Sequence, residues 1–254
     1  MTVAACAALV ERGDPDRFLA VMAAPRDVRA QLFPLYAFNL EIARAPWVTE
    51  EPLIAEMRLQ WWRDVVANAA SGAARAHEVA GPLHDLVRDF GLPADDLDRL
   101  IAARRWDIHR EPHQDLQALE VYLEDTGAGL MWLAGRALGA PDTAEAPIRA
   151  YGWASAAAAY LRAVPALVSR GRQPLPEGVA ARDLARLGLA RLATARLDRK
   201  AVPKGARPAL LAGWQAEPLL QQALTRPGVE QGAVELAEFR RRGGLLWQTV
   251  TGRW

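Results

Sequence analysis

The densest cluster of side chains that could do chemistry is the segment DIHREPHQD, residues 107–115. His109 and His113 stand four positions apart, a spacing that lets two imidazoles on one helix face bind a metal ion such as zinc. Pro112 lies between them, and proline interrupts a helix because it lacks a backbone donor and clashes with the preceding turn. The sequence therefore predicts a solvated turn between two helices, with a metal site as the alternative.

A second segment, EMRLQWWRD, combines two tryptophans with charged side chains at residues 56–64. Helical spacing places Leu53, Met57, Trp61 and Val65 on one apolar stripe. Trp62 is turned about 100° away from that stripe. Aromatic side chains dominate protein cores, so Trp61 is predicted to lie in the core and Trp62 at its boundary. The alternative is a contact with a partner or an apolar ligand cavity.

The C-terminal segment FRRRGGLLWQTVTGRW, residues 239–254, places three arginines next to large apolar side chains, among them Trp247 and Trp254. Basic segments with aromatic anchors bind anionic membrane surfaces. Gly243 and Gly244 weaken a continuous amphipathic helix. Two interpretations stay open, which are peripheral membrane contact and docking of the segment onto its own domain.

A further segment is notable for the side chains that it lacks. Six small residues occupy positions 154–159, and no carboxylate occurs between Tyr151 and Glu177. The run predicts either a tight packing surface or a site whose chemical groups have been replaced by small side chains.

The composition of the chain limits the kinds of protein to which these segments can belong. Half of the 254 residues are hydrophobic and the net charge is +1, which argues against disorder and gives no global electrostatic case for nucleic-acid binding. Cys6 is the single cysteine, so no intrachain disulfide can form, and a buried, unreactive thiol in a reducing compartment is predicted. No apolar run is long enough to span a membrane, and no signal peptide is expected.

Helical periodicity dominates the chain, and proline or glycine separates the periodic segments. We find no alternating strand, glycine-rich phosphate loop or internal repeat. The sequence predicts one all-α domain over residues 1–254, with a loop at 170–178 before the last three helices. Helices are predicted at roughly 27–45, 51–68, 77–90, 94–109, 115–138, 143–170, 181–198, 205–224 and 230–248.

Four segments, taken in chain order, resemble the squalene/phytoene synthase family, whose members condense isoprenoid diphosphates head to head. They are LYAFNLEIARAPW (35–47), EMRLQWWRD (56–64), VYLEDTGAGLMWLAGRALG (121–139) and GWASAAAAYLRAVPALVSRGRQPLP (152–176). The resemblance covers residues 15–180 well and the C-terminal helices of 181–254 weakly. It implies the all-α isoprenoid synthase fold, in agreement with the periodicity.

The resemblance also implies a reaction and its machinery. In active members, two helices face a central cavity, and each carries two aspartates four residues apart, which places both carboxylates on one face. These aspartates hold Mg²⁺, a hard cation that prefers oxygen ligands and substrate phosphates. The metal neutralises the departing diphosphate, and an apolar cavity shields the allylic cation that forms.

This sequence departs from the family pattern at both aspartate motifs. At the first motif the matching positions hold Ala43, Arg44 and Trp47, and Pro46 is expected to break the helix there. At the second, the positions of the family's glutamine, asparagine and aspartate hold alanine, and the downstream acidic pair is also missing. These second-motif positions are Ala156, Ala159, Ala163, Ala166 and Leu167. No catalytic residue and no metal ligand is therefore expected.

The resemblance implies a non-catalytic protein, or pseudoenzyme, from the branch of the family that includes an assembly factor for respiratory complex I. Its expected partners are respiratory-complex subunits and an isoprenoid or lipid ligand in the helical cavity, without nucleic acid. Its expected location is the cytoplasm, at the inner face of the membrane. Remnants of the ligand site are expected at Tyr36, Asn39, Arg44, Gly127, Arg162 and Arg172.

The alternative that the resemblance leaves open is an active, Mg²⁺-dependent isoprenoid diphosphate transferase with a remodelled site. In that case Arg44, Arg162 or Arg172 would bind the diphosphate, because a guanidinium forms paired hydrogen bonds with phosphate oxygens. A cavity filled by tryptophan and leucine side chains, in a protein with no small ligand, is the third interpretation.

Overall fold

A computed structural model describes residues 2–69, 72–109, 111–225 and 234–254, and within these ranges the chain is helical and contains no strand. This confirms the all-α prediction. The α-helices of the described ranges are α1 (Val3–Gly13), α2 (Pro15–Ala23), α3 (Arg29–Arg44), α4 (Pro52–Ala69), α5 (Ala80–Phe90), α6 (Ala94–Ala103), α7 (Leu116–Leu123), α8 (Gly129–Ala137), α9 (Glu145–Ser169), α10 (Ala181–Leu197), α11 (Ala216–Thr225) and α12 (Glu238–Thr251).

Short helices of other types join these elements. A π-helix, Glu124–Ala128, connects α7 directly to α8, and a ten-residue 3₁₀ helix, Lys204–Gly213, precedes α11. Three shorter 3₁₀ turns occupy Arg26–Val28, Ala45–Trp47 and Asp142–Ala144, and a fourth occupies Arg199–Ala201.

Local chemistry explains several helix ends. The Asp14 carboxylate accepts a hydrogen bond from the Arg17 backbone N–H at 3.0 Å, and Pro15 supplies the first residue of α2. The Asp115 carboxylate caps α7 in the same way, through the Ala118 N–H at 2.8 Å. At Pro46 the chain passes from α3 into a 3₁₀ turn, as the sequence predicts.

Several boundaries differ from the prediction. Helices α1 and α2 lie in a region for which no helix was predicted, and α6 ends at Ala103 because residues 104–108 form successive turns. The first part of the helix predicted at 230–248 lies outside the described residues, whereas α12 continues to Thr251. The loop predicted at 170–178 is present between α9 and α10.

The predicted apolar stripe of α4 was wrong except at Val65, which is buried. Trp62 is the core residue, at 3 % exposure, and its ring packs edge-on against Phe38 with centroids 5.3 Å apart. Leu53 and Met57 instead face solvent, at 71 % and 64 % exposure. The buried face of α4 lies about 150° around the helix from that stripe, and it is formed at helical spacing by Ala55, Leu59, Trp62 and Val66. Trp61 is half-buried and packs edge-on against Trp62.

The core consists of two clusters. The first is formed mainly by α1 to α6 and α8, and it includes Cys6, where burial raises the pKa of the thiol to about 11, as expected of an unreactive cysteine. The second surrounds α9, the longest helix, which packs against α8, α10, α11 and the π-helix. No helix of the described ranges is long and apolar enough to cross a bilayer.

Candidate ligand cavity

A cavity of about 150 Å³ lies between α3, the end of α6, the α7–α8 segment and α9. Its lining combines small and apolar residues with two arginines, an asparagine and three tyrosines. The lining residues are Arg17, Tyr36, Asn39, Arg104, Tyr122, Leu123, Thr126, Gly127, Leu130, Met131, Gly152, Ser155, Ala156, Ala159, Tyr160 and Ala212.

Small residues form the α9 wall because the π-helix approaches α9 closely. A Cβ atom added to Gly127 would stand 2.2 Å from the Cβ of Ala156, and one added to Gly152 would stand 2.9 Å from the Cα of Ala128. Both distances are too short for real side chains. The small residues of α9 therefore serve a tight packing surface, which is one of the two interpretations drawn from the sequence.

The π-helix also shapes the opposite wall. Its extra residue per turn interrupts the regular backbone ladder, and the Thr126 hydroxyl donates a 2.6 Å hydrogen bond to the carbonyl oxygen of Tyr122. Leu123, Thr126 and Gly127 all line the cavity as a result. Single π-helical turns within α-helices are frequent at functional sites.

Buried polar groups form the base of the cavity. Arg104 donates to the Tyr122 hydroxyl at 2.9 Å, and the Tyr122 hydroxyl in turn donates to Asp107 at 3.0 Å. Burial raises the pKa of Asp107, although Arg104 and the Tyr122 hydrogen bond oppose that shift. Arg104 also contacts the Asn39 amide oxygen at 3.5 Å, while its Nε is buried without a hydrogen-bond partner. The base therefore presents a cation with donor capacity to spare.

A second arginine lies on the α2 side of the cavity. The Arg17 guanidinium forms an ion pair with Asp14 and stands 5.6 Å from the centre of the Tyr36 ring. Burial raises the pKa of Tyr36 to about 12, so its hydroxyl stays protonated at neutral pH. Arg17 and Arg104 each have a carboxylate partner outside the lining, so they offer the cavity hydrogen-bond donors with little net charge.

The described residues of the segment 107–115, which are 107–109 and 111–115, lie between α6 and α7, as predicted. The prediction that they are solvated was wrong at two residues. Asp107 and His113 are both buried at 5 % exposure. The His113 ring stacks on Trp106 with centroids 3.8 Å apart, and burial lowers its pKa to about 4. Within the described ranges, no three His, Cys, Asp or Glu side chains are close enough to hold a metal ion.

The structure brings some of the predicted site residues together. Tyr36, Asn39, Gly127 and Ala159 line the cavity, as does Ala156. The other predicted site residues lie outside the lining, and they are Ala43, Arg44, Trp47, Ala163, Arg162 and Arg172.

The three predicted arginines make contacts elsewhere. Arg162 forms an ion pair with Asp16 at 2.7 Å, and the guanidinium of Arg172 lies 4.9 Å from the centre of a ring of Trp47. Arg172 also donates to the carbonyl oxygens of Asp107 and His109, which fixes the turn below the cavity. Arg44 packs against Gly13, since a Cβ atom added to Gly13 would stand 2.8 Å from the Arg44 Nη2 atom.

Sequence reasoning missed the main polar groups of the cavity, Arg17, Arg104, Tyr122 and Tyr160. Tyr122 stands in a segment that carries the family resemblance, and Arg104 precedes Asp107 by three positions near a helix end. The available signals were the place of Tyr122 in that segment and the spacing between Arg104 and Asp107. The Tyr160 hydroxyl is directed away to the carbonyl oxygen of Pro174, at 2.6 Å.

The donors of this cavity do not fit the magnesium ions that the fold family implies. Mg²⁺ binds carboxylates and phosphates, and in the described part of the chain no Asp or Glu lines the cavity. Guanidinium groups have no acceptor oxygen and repel a cation. The arrangement suits an uncharged or anionic group that accepts hydrogen bonds.

Comparisons with known proteins agree with the fold. A dehydrosqualene synthase crystallised with a ligand superposes with a TM-score of 0.84 at 15 % identity, over 98 % of this chain and 95 % of that one. A squalene synthase from Alicyclobacillus acidocaldarius superposes with a TM-score of 0.73 at 18 % identity, over 86 % of this chain and 91 % of that one. At these identities the likeness shows the isoprenoid synthase fold.

Sequence comparison shows the family. The assembly factor 6 of NADH dehydrogenase (ubiquinone) complex I from Bos taurus is 31 % identical over 172 residues, covering 67 % of this chain and 52 % of that protein. The chain thus spans about half the length of the curated relatives that it matches. The family profile of squalene/phytoene synthase matches residues 10–237, so the chain belongs to the squalene/phytoene synthase family.

Proposed function

We propose that this protein is a non-catalytic member of its family and serves in the assembly of a respiratory complex of the complex I type, with subunits of that complex as its partners. The observation that carries the proposal is the described cavity lining, which contains arginines and small residues and no Asp or Glu. The name of the Bos taurus relative, a complex I assembly factor, supports the same role.

The physical argument concerns the departing diphosphate of the family reaction. Cleavage of an allylic diphosphate leaves two or more negative charges that metal ions must neutralise. Arg17 and Arg104 could bind such a group, but they supply no ligand for the metal. The positions of the aspartate motifs hold Ala43, Arg44, Trp47, Ala159 and Ala163. These residues support binding without turnover.

We further propose that the cavity holds part of an isoprenoid or lipid ligand. Its volume of about 150 Å³ is below the range of typical ligand pockets, which starts near ~300 Å³, so only a head group or a short chain segment fits. Arg104 and Asn39 would bind the acceptor oxygens of that head group. Leu123, Leu130 and Met131 would contact its apolar part.

A gene deletion tests the assembly role. We expect membranes of the deletion strain to lose NADH:quinone oxidoreductase activity, and native gels to show incomplete subcomplexes in place of the full complex. Expression of the wild-type gene from a plasmid should restore both. Succinate dehydrogenase activity serves as the control for general respiratory damage. Normal assembly of the complex in the deletion strain would overturn the proposal.

The second candidate is an active prenyl diphosphate transferase, which is favoured by the fold likeness to a dehydrosqualene synthase over nearly the whole chain. Pyrophosphate release from farnesyl and geranylgeranyl diphosphate, measured with Mg²⁺ and with EDTA, separates the two functions. We expect no release above the protein-free control, with circular dichroism showing a folded helical protein. Release that EDTA abolishes would establish the transferase instead.

The proposed location is the cytoplasm, at the inner face of the membrane. Cell fractionation with an antibody against the protein tests this location. Recovery outside the cytoplasmic and membrane fractions would contradict it.

A further inference from the structure

The outer face of α12 exposes a stripe of large apolar side chains. Phe239, Leu246, Trp247 and Val250 are between 62 % and 88 % exposed. At 3.6 residues per turn, their Cα positions fall within a sector of about 100° on the helix. We call these four residues the α12 stripe. A contiguous exposed apolar surface of this kind marks a protein or membrane contact.

Arginines flank the α12 stripe on both sides. By helical geometry Arg242 lies next to one edge of the sector and Arg240 next to the other. Glu238 is the acidic residue of the helix, and it forms ion pairs with Arg242 at 2.6 Å and with Arg241 at 2.8 Å. One carboxylate against three arginines leaves α12 with a positive balance.

Two grooves lie between α12 and its neighbours, and the first borders the α12 stripe at Leu246. The first, of about 260 Å³, runs between α2 and α12 and is lined mainly by apolar side chains. The second, of about 470 Å³, shares Ala23 and Thr249 with the first. Four cations line the second groove, and its described lining contains no carboxylate. These cations are Arg26, Arg29, Lys204 and Arg207.

The inner face of α12 is fixed to the rest of the protein. The Trp214 indole N–H donates to the carbonyl oxygen of Arg241 at 3.0 Å, and the Gln248 amide donates to the carbonyl oxygen of Leu210 at 3.3 Å. Arg241 also forms an ion pair with Asp16 at 3.2 Å. Because these contacts use the inner face, the α12 stripe points outward. They confirm that the segment docks onto its own domain, whereas its contact with a membrane stays a prediction.

We propose that the α12 stripe and the two adjoining grooves dock onto an anionic lipid bilayer. The apolar side chains would enter the acyl boundary, while Arg26, Lys204 and Arg207 bind lipid phosphates around it. Charge complementarity favours anionic lipid, since arginines flank the α12 stripe and four cations line the second groove. This inference rests on the proposed location at the membrane and deepens it by naming the docking surface, and it is independent of the assembly role.

Vesicle co-sedimentation with the full purified chain tests the docking. The probes are phosphatidylcholine vesicles with and without phosphatidylglycerol. We expect binding to the anionic vesicles that is at least about tenfold tighter than to the neutral ones, because several basic side chains face the surface. Raising the ionic strength should weaken the binding, since salt screens exposed charges.

Matched variants separate the two components of the surface. Leu246→Ser with Val250→Ser should weaken binding about tenfold or more, whereas Leu53→Ser with Met57→Ser, on the exposed face of α4, should leave it unchanged. Arg26→Gln with Lys204→Gln should also weaken binding about tenfold.

A control for net charge is Arg58→Gln with Arg182→Gln, which removes two exposed cations from α4 and α10. All of these positions are on the surface, so thermal melts should show folded proteins. The proposal fails if the wild-type chain does not bind anionic vesicles, or if the two control pairs weaken binding as much as the test pairs. Recovery of the chain with an acidic protein in the absence of lipid binding would also overturn it.

Discussion

Gly127 and Ala156 hold the π-helix and α9 in direct backbone-level contact, since a Cβ on Gly127 would stand 2.2 Å from the Cβ of Ala156. This contact sets the width of the cavity between the two elements. It also gives the alanine-rich sequence of α9 a structural purpose that is independent of any lost chemistry.

The first prediction concerns this contact. Gly127→Ala should lower the free energy of unfolding by about 1–3 kcal/mol, because the added methyl group overfills a packed interface. Urea denaturation followed by circular dichroism measures the change. Gly243→Ala is the matched control, since it has open space around its Cα and lies within α12. That variant should gain up to about 1 kcal/mol from helix propensity. Equal effects of the two substitutions would contradict the packing argument.

The second prediction concerns the buried ion pair below the cavity. Arg104→Met should cost about 3–5 kcal/mol, because it leaves the Asp107 carboxylate buried without its cation. The two side chains are only 15 % and 8 % exposed. Arg104→Met combined with Asp107→Leu should recover much of the loss, as measured by urea denaturation. A single substitution that costs less than about 1 kcal/mol would show that the pair is not buried in solution.

The third prediction is a pH dependence from His113. Burial lowers the folded-state pKa of this imidazole to about 4 from the ordinary 6.5. Between these two pH values the imidazole is protonated in the unfolded chain and neutral in the folded protein. The stabilisation is complete above pH 6.5 and is lost as the pH falls towards 4, by about 3 kcal/mol. Stability measured across this window should therefore decline.

A pair of variants isolates the contribution of His113. His113→Phe keeps a ring against Trp106 and removes the titrating group, so its stability should fall less steeply between pH 6.5 and pH 4. His109→Gln changes an exposed histidine and should keep the wild-type slope. An unchanged slope in His113→Phe would refute the assignment.

The fourth prediction concerns magnesium. Thermal melts in Mg²⁺ and in EDTA should differ by less than about 2 °C, because the described cavity lining offers no carboxylate. An ion present at a hundred times its dissociation constant would instead stabilise the fold by about 2.7 kcal/mol. CaCl₂ at the same concentration controls for general salt effects. A Mg²⁺-specific rise in Tm would show that other side chains bind the metal.

The helical fold could be predicted from the sequence because apolar periodicity and the positions of proline and glycine report on local structure. The face of α4 could not, since two apolar sets about 150° apart compete there and only tertiary packing selects the one with Trp62. Helix α2 was missed even though Asp14–Pro15 is a readable start signal.

The site was only partly predictable for a similar reason. Tyr36, Asn39 and Gly127 followed from the family resemblance and do line the cavity. The polar composition of residues 107–115 favoured solvent exposure, but Asp107 is buried. Its carboxylate pairs with Arg104, three positions earlier, and Tyr122 and Arg172 reach it from other parts of the chain. The contacts of Tyr122 and Arg172 leave no local pattern in a sequence.

Asp16 is a single carboxylate shared by Arg162 of α9 and Arg241 of α12. Because both cations use the same acceptor, the energies of the two ion pairs are not additive, and each arginine alters what the other contributes. The helix that lines the cavity and the helix that carries the outward apolar stripe are thus thermodynamically coupled through one side chain of α2.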